Sequence, residues 1–215
     1  MPPTQMKIVA PGAVFSTGWP CCVGIRRTPA LLAVRHPASH QGLRWHLGGR
    51  ANPYLCKEYH VSAQDVQILK TLIFSPYIMK PMMGLTSDLF PIGGYNKAPY
   101  LLMVSTVGIA AALIVGLVST SLRVLILCLF LVEFMICSDD LLTEALYSRH
   151  MQEKPKRGQD LLTFVFAGMS FWSFLAALAS GFVLTYLGAH ATYILVAICS
   201  LPALYAAWTM EEHRK

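Results

Sequence analysis

Residues 98 to 118 read "APYLLMVSTVGIAAALIVGLV", a stretch without a single Asp, Glu, Lys, Arg or His. A helix rises about 1.5 Å per residue, so roughly 20 apolar residues cross the ~30 Å hydrocarbon core of a bilayer. "LLTFVFAGMSFWSFLAALASGFVLTYL" (161–187) and "ATYILVAICSLPALYAAW" (191–208) are equally free of charge. Composition agrees: 55% of the 215 residues are hydrophobic and 13% charged, where soluble domains carry about 25% charged residues. So little polar surface cannot cover a water-soluble globule of this size. The fold class expected is an all-α polytopic membrane protein.

Five spans are expected, at about 65–85, 98–118, 122–144, 160–186 and 190–208. The first is the weakest, because Lys70, Lys80 and two prolines interrupt it. Positive charge divides the connections into two sets. Arg149, Lys154, Lys156 and Arg157 lie between spans three and four, Lys97 lies between one and two, and Arg214 and Lys215 follow span five. The positive-inside rule makes loops 86–98 and 145–160 and the tail 211–215 cytoplasmic, with residues 50–64 outside. Spans two and four are rich in small residues, Gly108, Gly116, Gly168 and Gly181 among them, which suits close helix packing in lipid.

The bundle is expected to occupy 51–210. Before it, residues 1–50 lack a clean apolar stretch and read as a poorly structured basic leader, a poor signal sequence, a degraded first span, or a non-native segment. Residues 1 to 57 hold seven Lys and Arg and no acid. No motif for reading bases or phosphates accompanies that charge, so no nucleic-acid partner is expected. The six cysteines show no CxxC spacing and read as buried thiols, with neither metal site nor cofactor implied.

Span three carries the unusual chemistry. Glu133, Cys137, Asp140 and Glu144 are spaced four, three and four residues apart, which puts them on one helix face. Asp139 points about 100° away from that stripe. Acids at membrane depth are costly and face a protein interior or a wet cavity, which makes them a functional-site hypothesis. Asp139 and Glu144 could instead simply reach the headgroup region. Lys80 lies at a depth similar to Asp140 and is the expected counter-charge, in either a structural bridge or a pair that a substrate or proton opens.

The stretch after Lys80, "KPMMGLTSDLFPIGG", supplies a more specific signal. It resembles the folate-biopterin transporter family, a branch of the major facilitator superfamily, which carries a pattern like K-P-x-x-G-x-x-S-D-x-x-P-x-x-G. Lys80, Pro81, Gly84, Ser87, Asp88, Pro91 and Gly94 match it. Downstream, Asp140, Glu144, Tyr147, Pro155 and Gly158 match an acid-containing fourth span and its following loop. The resemblance runs from about 51 to 210 and implies a fragment covering spans two to six of a twelve-span carrier in the plasma membrane.

It further implies proton-coupled transport of folate or pterin substrates, with S-adenosylmethionine carried by some members, and no enzymatic activity. Lys80, Glu133, Asp140 and Glu144 would line the substrate and proton pathway. Gly84, Ser87, Asp88, Pro91 and Gly94 would form the gating loop. Partners would be the lipid bilayer and a second transporter half. Two alternatives stand beside this reading: a non-transporting membrane fragment or subunit, and an enzyme of the membrane prenyltransferase type. "DDLLTE" has the look of an aspartate-rich magnesium motif, but the second acidic motif such an enzyme needs is missing.

Overall fold

The structure is a computed structural model that describes residues 29–90, 92, 98–153 and 158–208, with most side chains from residue 41 onward. Pro91 and Gly94 of the expected gating loop, Lys97 after it, and Pro155 of the later loop lie outside the described residues. In chain order the elements are α1 (Pro29–Glu58), α2 (Ala63–Ile73), a 3-10 turn (Ser75–Tyr77), α3 (Lys80–Leu89), α4 (Ala98–Leu117), α5 (Leu122–Glu153), α6 (Gly158–Tyr186) and α7 (Gly188–Trp208). α4 is sandwiched between α5 and α7, and α1 packs on α5, α6 and α7.

Among the described residues three segments are long and apolar enough to cross a membrane: Ala98–Leu117, Val165–Tyr186 and Gly188–Tyr205. α5 has the length, but Arg123, Glu133, Asp139 and Asp140 break its apolar run. Polarity is distributed inside out. Val107, Ile114, Phe174, Leu178, Phe182 and Ile198 are exposed, while Arg44, Asn52, Ser105, Glu133, Asp139 and Ser200 are buried. Lipid solvates the first group and the protein must solvate the second, so the chain is an all-α polytopic membrane protein.

Two expectations need correcting. The stretch 65–85 is not one helix. Proline has no N–H to donate and its ring crowds the preceding turn; accordingly α2 stops at Ile73, Pro76 opens the 3-10 turn, and α3 restarts with Pro81 in its first turn. In this break the Pro76 carbonyl accepts both the Met79 N–H at 3.0 Å and a hydrogen bond from Cys137 Sγ at 3.4 Å. Nor are residues 29–50 unstructured: they form most of α1. This helix has no apolar run of spanning length, yet Leu47, Ala51 and Leu55 are buried against the bundle. Among its described polar residues, Arg44 bonds Asp139 of α5 and Asn52 accepts from Tyr193 of α7.

Close approach of helices depends on missing side chains. A Cβ on Gly108 of α4 would lie 2.4 Å from Met135 Cβ of α5, so only glycine permits this crossing. The α6–α7 reversal passes through Gly188, whose φ of +81° disfavours any side chain. At the same end of the bundle, the Tyr59 hydroxyl donates to the Thr120 carbonyl at 2.5 Å. His190 there reaches the Val115 carbonyl through Nδ1 at 2.6 Å and Glu58 Oε2 through Nε2 at 3.0 Å. Residues 58–60, 118–121 and 187–190 thus gather on one side.

Candidate functional site

The site is built around α5, where every residue from Met135 to Asp139 is buried. Around these residues α5 has helices on several sides, so side chains leaving it in different directions meet protein. Asp139 and Asp140 are adjacent in sequence, about 100° apart around the helix, and each meets a different cation.

Asp139 faces α1 and α4. Arg44 Nη1 donates to its Oδ2 at 2.6 Å, and the pair is 1% and 2% exposed. Ser105 Oγ donates to Asp139 Oδ1 at 3.2 Å, and Arg44 Nη1 also reaches Ser200 Oγ at 3.4 Å. Four helices are tied together by one buried ion pair. A charge pair withdrawn from water survives only when its geometry is good and further hydrogen bonds support it. The two serines supply that support.

Asp140 faces α3. The Lys80 ammonium donates to Asp140 Oδ2 in a pair that is 24% and 15% exposed, and it sits 5.7 Å from the Tyr77 ring centroid. Glu144, one turn further along α5 and partly buried, adds to the field on Lys80. The break between α2 and α3 makes this contact possible, since it carries Tyr77 and Lys80 onto the acid face of α5.

Glu133 lies deepest and is 1% exposed. A Cβ on Gly48 of α1 would fall 3.8 Å from Glu133 Oε1 and 4.0 Å from the Tyr193 hydroxyl, so the absence of a side chain lets α1 lie against both. Tyr193 donates to Asn52 Oδ1 and to the Gly48 carbonyl. Around this point several buried polar atoms have no hydrogen-bond partner among the described residues: Glu133 Oε2, the Tyr77 hydroxyl, Asn52 Nδ2, and Arg44 Nε and Nη2. Glu133 and Arg44 both act electrostatically on Tyr77. Buried polar groups are almost always paired in proteins; here a complementary set of donors and an acceptor is concentrated in one region.

The structure brings Lys80, Asp140 and Glu144 together and sets Glu133 about two turns from Asp140 and about three from Glu144 on the same helix. Of the expected gating residues, Gly84 packs near Leu141 of α5, with its missing Cβ 3.7 Å from a Leu141 methyl carbon. Ser87 is buried and its hydroxyl donates to the Gly84 carbonyl at 2.8 Å, while Asp88 is exposed. Sequence reasoning set Asp139 aside and assigned nothing to Arg44, although together they form the most buried ion pair described. The doublet of acids was the available signal, because two adjacent acids on a helix need two partners in different directions. Among the described residues no three His, Cys, Asp or Glu side chains are arranged to hold a metal ion.

Comparison with known proteins decides the family. The family model for the BT1 family matches residues 41–215, from within α1 to the end of the chain. The chain belongs to the BT1 family. The match begins ten residues before the resemblance legible in the sequence, and it takes in Arg44. Among curated relatives, the probable folate-biopterin transporter 4 of Arabidopsis thaliana is 28% identical over 168 residues, which is 76% of this chain and 34% of that protein. The folate-biopterin transporter of Synechocystis is 25% identical over 160 residues, 74% of this chain and 32% of the relative. The probable folate-biopterin transporter 2 of Arabidopsis thaliana is 32% identical over 79 residues, 36% of this chain and 16% of the relative. This BT1 family chain thus aligns with about a third or less of each relative's length. No solved structure matches it.

Proposed function

We propose that this BT1 family chain serves the membrane transport of folate- and pterin-type substrates, coupled to protons. The observation that carries the reading is the concentration of unengaged donors and acceptor at Glu133, Tyr77, Asn52 and Arg44, deep inside a bundle whose relatives are named folate-biopterin transporters. A pterin ring presents a 2-amino group beside a ring N–H. A carboxylate such as Glu133 or Asp140 can accept from both at once, an arrangement stronger than two neutral hydrogen bonds.

Proton coupling follows from charge balance. Arg44 and Asp139 cancel, as do Lys80 and Asp140. An anionic substrate entering beside these cancelled pairs adds a charge that is expensive to bury alone. Taking up a proton with it removes that cost. The partly exposed Lys80–Asp140 pair is the natural entry, since a proton on Asp140 releases Lys80. Loops 86–98 and 145–160 then face the cytoplasm of a plasma-membrane carrier, and 58–60 and 118–121 face outward. Nothing in this scheme makes or breaks a covalent bond.

Uptake of labelled folate and biopterin by cells expressing the chain tests the reading. Lys80→Ala and Asp140→Asn, each present at wild-type level in the membrane, are expected to reduce uptake at least about tenfold, the effect of losing ~1.4 kcal/mol of interaction. Unchanged uptake in both variants would sink the assignment.

A further inference from the structure

Arg44 is bonded on one side only. Nη1 holds Asp139 and reaches Ser200, whereas Nε and Nη2 are buried and donate to no acceptor among the described residues. Those two nitrogens form one edge of the planar guanidinium. That edge offers two parallel N–H groups with the spacing of the two oxygens of a carboxylate. The side chain is 1% exposed, so water does not solvate the edge as it would at a surface, and leaving buried donors unmade is costly.

None of the described acids bonds this edge. Asp139 is already on Nη1, Asp140 is on Lys80, and Glu133 lies against Gly48 and beside Tyr193. Lys80, the cation that the sequence offers most readily for an anion, presents a compact charge already held by Asp140. Arg44 combines charge, burial and an unbonded two-pronged edge. On the strength of the transport reading above, we propose that the Nε–Nη2 edge of Arg44 is the receptor for a ligand carboxylate, such as the acidic tail of a folate-type substrate. Asp139 then serves as a positioning residue: it holds Nη1 and so fixes which edge of Arg44 is presented.

The test uses the full chain in lipid nanodiscs and three probes. Folic acid carries ring and acidic tail, biopterin carries the ring alone, and p-aminobenzoylglutamate carries the tail alone. Arg44→Lys keeps a cation opposite Asp139 but removes the fork. The expected result is that the Kd for p-aminobenzoylglutamate rises about tenfold or more and the folate-to-biopterin affinity ratio falls by a similar factor. Should Arg44→Lys not fold, Arg44→Gln combined with Asp139→Asn leaves a neutral hydrogen-bonding pair and is expected to show the same losses. Wild-type affinity for p-aminobenzoylglutamate in the variant, or folate and biopterin weakening together at a constant ratio, overturns the proposal while the transport reading stands. Tail binding that depends on Arg44 in a protein that takes up no pterin would do the reverse.

Discussion

Asp139 and Asp140 differ by one position and by the whole character of their surroundings. Asp139 is 2% exposed and opposes an arginine that is 1% exposed, whereas Asp140 and Lys80 are 15% and 24% exposed. Asp139→Ala leaves an unpaired buried guanidinium and is expected to cost about 3–5 kcal/mol of stability. Asp140→Ala leaves a lysine that water can reach and is expected to cost only about 1 kcal/mol. Thermal unfolding in detergent checks the ordering, and equal losses would contradict it. Replacing both partners, Arg44→Met with Asp139→Leu, should recover most of the stability, because two apolar side chains carry no desolvation penalty. The Lys80–Asp140 pair was legible in sequence because both residues fall at one depth in apolar segments. Arg44 was not, since nothing in its own stretch announced burial and its partner was one residue off the expected stripe.

At the scale of elements, the charge-free runs of α4, α6 and α7 declare themselves by length alone. α1 and the α2–α3 segment do not, for two different physical reasons. α1 is held by polar contacts from other helices, such as Asp139 to Arg44 and Tyr193 to Asn52, and no single-segment pattern reveals that. The α2–α3 break follows from Pro76 and Pro81, which hydropathy ignores and backbone hydrogen bonding does not. Glycines on the packed helices separate the same way. Gly108→Ala drives a Cβ to within 2.4 Å of Met135 Cβ and is expected to cost about 1–3 kcal/mol through forced displacement of α4 from α5. Gly181, with nothing within 4 Å of its added Cβ, should accept alanine with a gain of up to about 1 kcal/mol from helix propensity. The two melting temperatures should move in opposite directions.

On the scale of the whole molecule, a greasy exterior surrounds a polar centre, and α5 runs from the end that gathers 58–60, 118–121 and 187–190 to the opposite end. Thr120 and Ser148 are separated by about 40 Å along that axis at helical rise. In a variant without native cysteines, Cys placed at Thr120 and Cys placed at Ser148 should label with a membrane-impermeant maleimide from opposite faces of sealed vesicles. Labelling of both from one face would refute the orientation.

The buried cluster around Glu133 is the proposed seat of the ligand. Titration of the wild-type chain in nanodiscs with biopterin, set against Glu133→Gln, addresses this directly. Saturable binding by the wild type, weakened about tenfold or more in Glu133→Gln, is the result expected. Equal binding by both proteins, or none by a folded wild type, would contradict it.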